Sequence, residues 1–149
     1  MRILLKILGL AIIVMAVMMV MKNQRTPAGL GVQDGRLAEV PETPNGVSTQ
    51  TTVTEKKVEP LLFAGSIEES KTKILEAVHS YGGAEIIIEE VDYLYIVFTT
   101  GTMKFKDDAE FYFDANTKEI HFRSASRVGK SDMGLNRERY DAIRQLYME

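Results

Sequence analysis

Four arginines close to one another, Arg123, Arg127, Arg137 and Arg139, are the residues here best equipped for recognition chemistry. A guanidinium offers paired N–H donors that fit the oxygens of a carboxylate or phosphate. In an extended segment residues four apart share a face, so Arg123 and Arg127 point the same way, with His121 and Ala125 in line with them. A helix starting near Asn136 puts Arg137 and Arg139 in its first turn, where free backbone N–H groups also receive an anion. These spacings predict a site for an anionic small ligand, a lipid headgroup or a partner's carboxylate, with Arg123, Arg127, Arg137, Ser124 and Ser126 as its members. The competing reading is internal: Asp107, Asp108, Glu110 and Asp132 are available to pair with the same arginines and organise the fold.

Ser124 and Ser126 alternate to the face of Ile120 and Phe122, where small polar side chains fit against a helix. A serine nucleophile also needs a base, and only His79 and His121 exist. A hydrolase using Ser124 or Ser126 with His121 therefore ranks third, and a non-catalytic domain is favoured. Gly129-Lys130-Ser131 matches the end of a phosphate-binding loop, but Ser124 stands where the first glycine is required and no helix follows at once. Two histidines without a ligand-spaced carboxylate partner give no metal site, and Asp107-Asp108 is too short for a calcium loop. With no cysteine there is no disulfide, thiolate ligand or thiol nucleophile, and no cofactor is implied.

These residues need a scaffold, and length and composition bound it. The chain has 149 residues, 45% hydrophobic and 26% charged, which suits one folded domain rather than a disordered chain. Ile3 to Met21 is apolar except for Lys6, and as a helix it spans roughly 28 Å, close to a hydrocarbon core of about 30 Å. A cleaved signal peptide is the alternative, but the exit Met18-Met19-Val20-Met21-Lys22-Asn23 has no small-x-small cleavage site. The sequence thus predicts a single-pass membrane protein anchored through residues 3–21. Arg2, Lys6 and the terminal amine outweigh Lys22 and Arg25, which puts the domain on the extracytoplasmic side. Three of the 18 basic residues and none of the 21 acidic ones lie at or before residue 22, leaving 15 basic to 21 acidic, a net charge of −6. That balance argues against nucleic acid as a partner.

Residues 23–60 hold all four prolines and many polar residues, so they form an extended arm with few regular elements. Leu30, Val32, Leu37, Val40 and Val47 give it apolar points for packing on the domain. Ser66 with Glu69 is a capping box opening a helix whose stripe is Ile67, Ile74, Leu75, Val78 and Tyr81, closed by Gly82-Gly83. Strands follow at Ile86–Ile88, Tyr93–Phe98, Met103–Phe113 and Glu119–Arg127, with an irregularity at Asp107-Asp108 and a hairpin turn over Asp114–Lys118. Asn136 caps a last helix carrying Tyr140, Ile143, Leu146 and Tyr147. The short connections predict an α+β fold: transmembrane helix (1–22), arm (23–60), then helix, four-stranded antiparallel meander and C-terminal helix (61–149), with the helices on one face. The strand aromatics are expected to make a packed sheet with a few exposed tyrosines; an apolar cleft between sheet and helices would use the same residues.

The stretch Arg123-Ser124-Ala125-Ser126-Arg127-Val128-Gly129, with Ser131-Asp132 and Gly134-Leu135-Asn136-Arg137 after it, resembles the signature of the domain-of-unknown-function family 1499. Gly29-Leu30-Gly31 with Asp34-Gly35-Arg36-Leu37, Pro41-Glu42-Thr43-Pro44-Asn45 with Val47-Ser48, and Asp107-Asp108-Ala109-Glu110-Phe111 agree in the same order, covering nearly all of residues 27–147. Similar proteins often have cysteines flanking the Pro-x-Thr/Ser-Pro-Asn block, where Val40 and Gly46 stand here, so no thiol role carries over. The resemblance implies no activity. It leaves a membrane-tethered domain binding an anionic ligand as the first reading, and a structural or protein-interaction module, recruiting its partner through a sheet edge or apolar patch, as the alternative.

Overall fold

A computed structural model describes residues 1–149. It opens with α1 (Arg2–Gln24), whose most apolar stretch has a mean hydropathy of 2.8 and is wholly unburied. Length and composition allow this helix to cross a membrane, and they equally suit a signal sequence. The arm that follows supplies β1 (Gly46–Ser48) and a 3-10 turn over Thr54–Lys56, and leads into β2 (Leu61–Leu62). Then come α2 (Ile67–Tyr81), β3 (Ala84–Glu89), β4 (Tyr93–Thr99), β5 (Lys106–Asp114), β6 (Glu119–Ser126) and α3 (Leu135–Met148).

Four strands form the expected antiparallel meander, and the arm enlarges it to a six-stranded sheet of order β1-β6-β5-β4-β3, with β2 also on β6. β1 pairs with Ala125–Arg123 and β2 with Ile120–Glu119, so two short pieces share the outer edge of β6. Alternation decides what each face holds. Leu94, Ile96 and Phe98 of β4, Ala109, Phe111 and Phe113 of β5, and Ile120 and Phe122 of β6 turn to one side, where Ile74 and Val78 of α2 and Tyr140 and Ile143 of α3 cover them. The Phe122 ring lies 4.8 Å from that of Phe111 and 4.4 Å from that of Tyr140. Each fully buried phenylalanine contributes about 1.5–3 kcal/mol. On the other side Tyr93, Tyr95, Val97 and Tyr112 form a thinner layer closed by Leu37, with Leu30 and Val32 against it. The arm is therefore docked, and its residues replace helices on that face.

The capping box forms as expected: Glu69 N donates to Ser66 Oγ and Ser66 N to Glu69 Oε2, at 3.1 and 2.7 Å. Two expectations are corrected. Asp107-Asp108 is not irregular, since β5 keeps unbroken register with both β4 and β6; the bulge is in edge strand β3, between Ile86 and Ile88. Edge strands tolerate an extra residue because only one ladder is interrupted. Asn136 does not cap α3. Gly134 is the cap, at φ 87°, while Asp132 accepts from the N–H groups of Gly134 and Asn136, and Asn136 is fully buried.

At Gly46 the arm lies so close to β6 that an added Cβ would be 2.8 Å from Ser124 O and 3.0 Å from Ala125 Cβ. Gly46→Val should therefore lower stability by about 1–3 kcal/mol, as overpacking does. Urea unfolding of the detergent-solubilised chain measures it; an unchanged midpoint would mean that β1 is not held against β6.

Candidate functional site

Strand β5 carries three carboxylates in four positions, Asp107, Asp108 and Glu110, all at most 1% exposed. A buried carboxylate must be paired or neutralised, and each has its own arginine. Asp107, on the helix-covered side, pairs with Arg139 of α3 at 2.7 Å. Asp108 and Glu110, on the arm side, pair with Arg127 at 2.7 Å and Arg123 at 3.1 Å.

Arg127 is the most extensively bonded of the three. Its Nε and Nη2 hold Asp108, Nη2 also donates to Tyr95 Oη at 3.0 Å, and Nη1 donates to the carbonyl of Asn23 in the last turn of α1 at 3.2 Å. The Asp108 contact holds the Arg127 guanidinium even more firmly protonated than usual. Burial, reinforced by the hydrogen bond to Asp108, pushes the Tyr95 phenol up to about 12. Asn23 is itself buried: Nδ2 donates to Lys104 O at 2.8 Å and Oδ1 accepts from Lys106 N at 2.9 Å. The end of α1 is thus fastened to β5 and to the segment after β6.

Above these contacts lies a cleft of about 680 Å³ between the foot of α1, the arm and β6. Lys22, Arg25, Arg123, Arg127 and Lys130 line it, and its only carboxylate is Asp108, already held by Arg127. No carboxylate lies within ion-pair distance of Lys22, Arg25 or Lys130. With Arg123 and Arg127 neutralised by Glu110 and Asp108, the three unpaired cations Lys22, Arg25 and Lys130 make this cleft positive in a chain whose net charge is −3.

The five residues singled out from sequence do not form one group. Arg123 and Arg127 wall the cleft, with Arg123 also donating to Glu39 O of the arm at 3.3 and 3.4 Å. Ser124 is fully buried on the opposite face and donates to Asn136 Oδ1. Ser126 donates to Asp107 at 2.6 Å, accepts from Asn136 Nδ2 at 3.1 Å, and reaches the cleft's margin. Arg137 is elsewhere, donating to the carbonyls of Glu55 and Lys57. His121 faces the arm side, with Nδ1 3.3 Å from Thr49 Oγ1, so neither serine meets it. Burial holds its imidazole below the usual histidine range.

Three cleft cations, Lys22, Arg25 and Lys130, were not legible as a set. Two stand beside the apolar helix, where they read as topology signals, and the third belongs to a failed phosphate-loop match. Asn23 carried no signal at all. Asn45 did lie in a quoted block, and here its Nδ2 donates to Gly129 O at 2.9 Å while its carbonyl accepts from Asn136 Nδ2.

A family model described as "Protein of unknown function (DUF1499)" matches residues 36–146. No curated protein matches the chain.

Removing one partner of a buried pair costs about 3–5 kcal/mol. Arg127→Ala should lose that much in urea unfolding, and Arg127→Lys, which cannot hold Asp108, Tyr95 and Asn23 O together, should recover only part of it. Equal stability of parent and Arg127→Ala would remove the pair's structural role. Tyr95 has its folded pKa above the unfolded value of 10.0. Its contribution is complete below pH 10 and is lost as pH rises through about 12. Stability should accordingly fall across that window, and less in Tyr95→Phe; identical pH profiles would exclude this coupling.

Proposed function

The chain belongs to the DUF1499 family, proteins of unknown function, and we propose that it is a membrane-tethered, non-catalytic domain that binds an anionic ligand in the cleft at the foot of α1. The observation that carries this reading is the set of cations without partners, Lys22, Arg25 and Lys130, facing one cavity beside Arg123 and Arg127. A phosphate- or carboxylate-bearing group entering there would displace little: the ion pairs of Arg123 and Arg127 stay intact, and the free side chains supply charge-assisted hydrogen bonds. The two paired arginines wall the cavity without being consumed. The ligand is a free metabolite or a lipid headgroup, since both present the same oxygens. Retention of α1 as a single-pass anchor, with the domain on the extracytoplasmic side, completes the proposal. It rests on the apolar length of α1 and on Arg2 and Lys6 at its other end.

A protein-interaction module is the second reading. It is favoured by edge strand β3, where Ile86, Ile87 and Ile88 are 40%, 46% and 38% exposed.

The test is a thermal-shift screen of the whole chain in zwitterionic nanodiscs against inorganic phosphate, polycarboxylates, sugar phosphates and soluble phospholipid headgroups. A ligand at about 100 times its Kd adds roughly 2.7 kcal/mol. Lys22→Gln, Arg25→Gln and Lys130→Gln leave every ion pair in place, so each should weaken binding about tenfold, the loss of about 1.4 kcal/mol, without lowering the unliganded melting temperature. Binding that survives all three substitutions together, or a screen in which nothing shifts the parent, would overturn the cleft as the site.

A further inference from the structure

Asn23 fixes how far the domain stands from whatever surrounds α1. The apolar run of α1 ends at Met21, and Asn23 lies two residues, about 3 Å, further along the axis. Its side chain is bonded directly to Lys104 O and Lys106 N, at 2.8 and 2.9 Å. No slack linker intervenes. The headgroup layer on one side of a bilayer is roughly 5–8 Å thick. If α1 spans, the β4–β5 loop lies inside that layer.

The sheet's polarity determines what accompanies that loop. At the same end are the close of β4 (Thr99), the start of β5 (Lys106), the close of β6 (Ser126), and the loop from Arg127 to Gly134 that leads into α3. This end exposes Lys104 and Lys130, and half-exposes Lys106, none of them with a carboxylate in ion-pair range; the half-exposed Asp132 in the same loop is bound to the N–H groups of Gly134 and Asn136. It also exposes two large apolar side chains at loop tips, Met103 at 65% and Met133 at 93%. The far end is predominantly acidic: the β3–β4 turn, the β5–β6 hairpin and the start of α2 bring Glu68, Glu69, Glu89, Glu90, Asp92 and Asp114 against Lys71 and Lys118. A charge separation of this kind orients a domain on an anionic surface.

We infer that this end of the sheet is a second membrane-contacting surface, resting on the anionic lipid of the bilayer that α1 crosses, with Met103 and Met133 entering the headgroup layer and Lys104 and Lys106 facing lipid phosphates. The inference rests on the proposed anchoring by α1. It goes further in giving the domain one fixed pose, with the basic cleft opening at headgroup level and the acidic end turned to solvent. Lysines are drawn to an anionic surface, and a methionine adapts to an irregular apolar boundary.

The chain has no cysteine, so single probes are simple to install. Met103→Cys, Met133→Cys, Val91→Cys at the far turn and Val14→Cys within α1 would each carry an environment-sensitive fluorophore in vesicles of pure phosphatidylcholine or of phosphatidylcholine with phosphatidylglycerol, with brominated acyl chains as quencher. The expected result is quenching at 14 in both lipids, blue-shifted and quenched emission at 103 and 133 that strengthens with phosphatidylglycerol, and unshifted emission at 91. Lys104→Glu with Lys106→Glu should bring 103 and 133 to the level of 91. If 14 is quenched while 103 and 133 behave like 91 in anionic vesicles, the docking surface is overturned and the anchor stands. Quenching at 103 and 133 that is equal in the two lipids overturns the charge-directed pose. An unquenched probe at 14 removes the anchor, and this inference with it.

Discussion

Three carboxylates buried within four residues of one strand are the constraint around which this protein is arranged. Asp107, Asp108 and Glu110 alternate through β5, so two look toward the arm and one toward the helices. Neither face can be closed by apolar packing alone, because an unpaired ionised carboxylate is too costly to bury. The fold answers with arginines from different elements: Arg139 from α3, Arg123 from β6 and Arg127 just beyond it. Each arginine then has donors left over, and these recruit the rest. Arg123 takes Glu39 O of the arm, and Arg127 takes Asn23 O of α1. Glu110 accepts from the backbone of Gly31 and from Tyr93, which ties down the start of the arm.

The two faces of the sheet are consequently held by different physics. The helix-covered face has seventeen buried apolar residues in one cluster, enough to supply most of the driving force. The arm-covered face has five. What it has in addition is directional bonding, whose net contribution to stability is small but whose geometry permits one register only. Lys56 shows the same logic: nearly buried, it donates to the carbonyls of Pro41 and Glu42 and so fixes the Pro-rich turn that delivers Asn45 to the sheet. An extended segment with little regular structure needs such fixings, because it has few backbone ladders of its own.

Local signals were legible in the sequence and long-range ones were not. The Ser66 to Glu69 box, the alternation of β4 and β6, and the Asp114–Lys118 turn depend on neighbours within a few residues, and all three form. The bulge was misassigned because two adjacent aspartates look irregular in a strand, whereas their burial is resolved by partners 19 and 32 positions away. Asn136 was misread as a cap for the same reason: its amide serves Asn45, Ser126 and Asp132 inside the protein. For the candidate site, alternation gave the common face of Arg123 and Arg127 and separated them from Ser124 and Ser126. It gave no hint of Asn23, whose bonds to Lys104 and Lys106 span more than eighty residues.

Those long-range bonds also build the cleft. Arg123 and Arg127 are its most buried cations and are already paired with Glu110 and Asp108, so they shape the cavity more than they would grip a ligand. The free donors belong to Lys22 and Arg25 at the foot of α1 and to Lys130 after β6, more than a hundred residues apart in sequence. Only the docking of Asn23, seconded by Arg127, brings them to the same cavity. In the proposed site, anion binding and the seating of the apolar helix would therefore be linked: an anion bridging Lys130 to Lys22 or Arg25 would stabilise the docked helix end, and a helix end held in place would preorganise the cavity. A domain separated from α1 would keep its fold-organising ion pairs, whose carboxylates are all on β5, but would lose Lys22 and, with Asn23, the anchorage that positions Arg25.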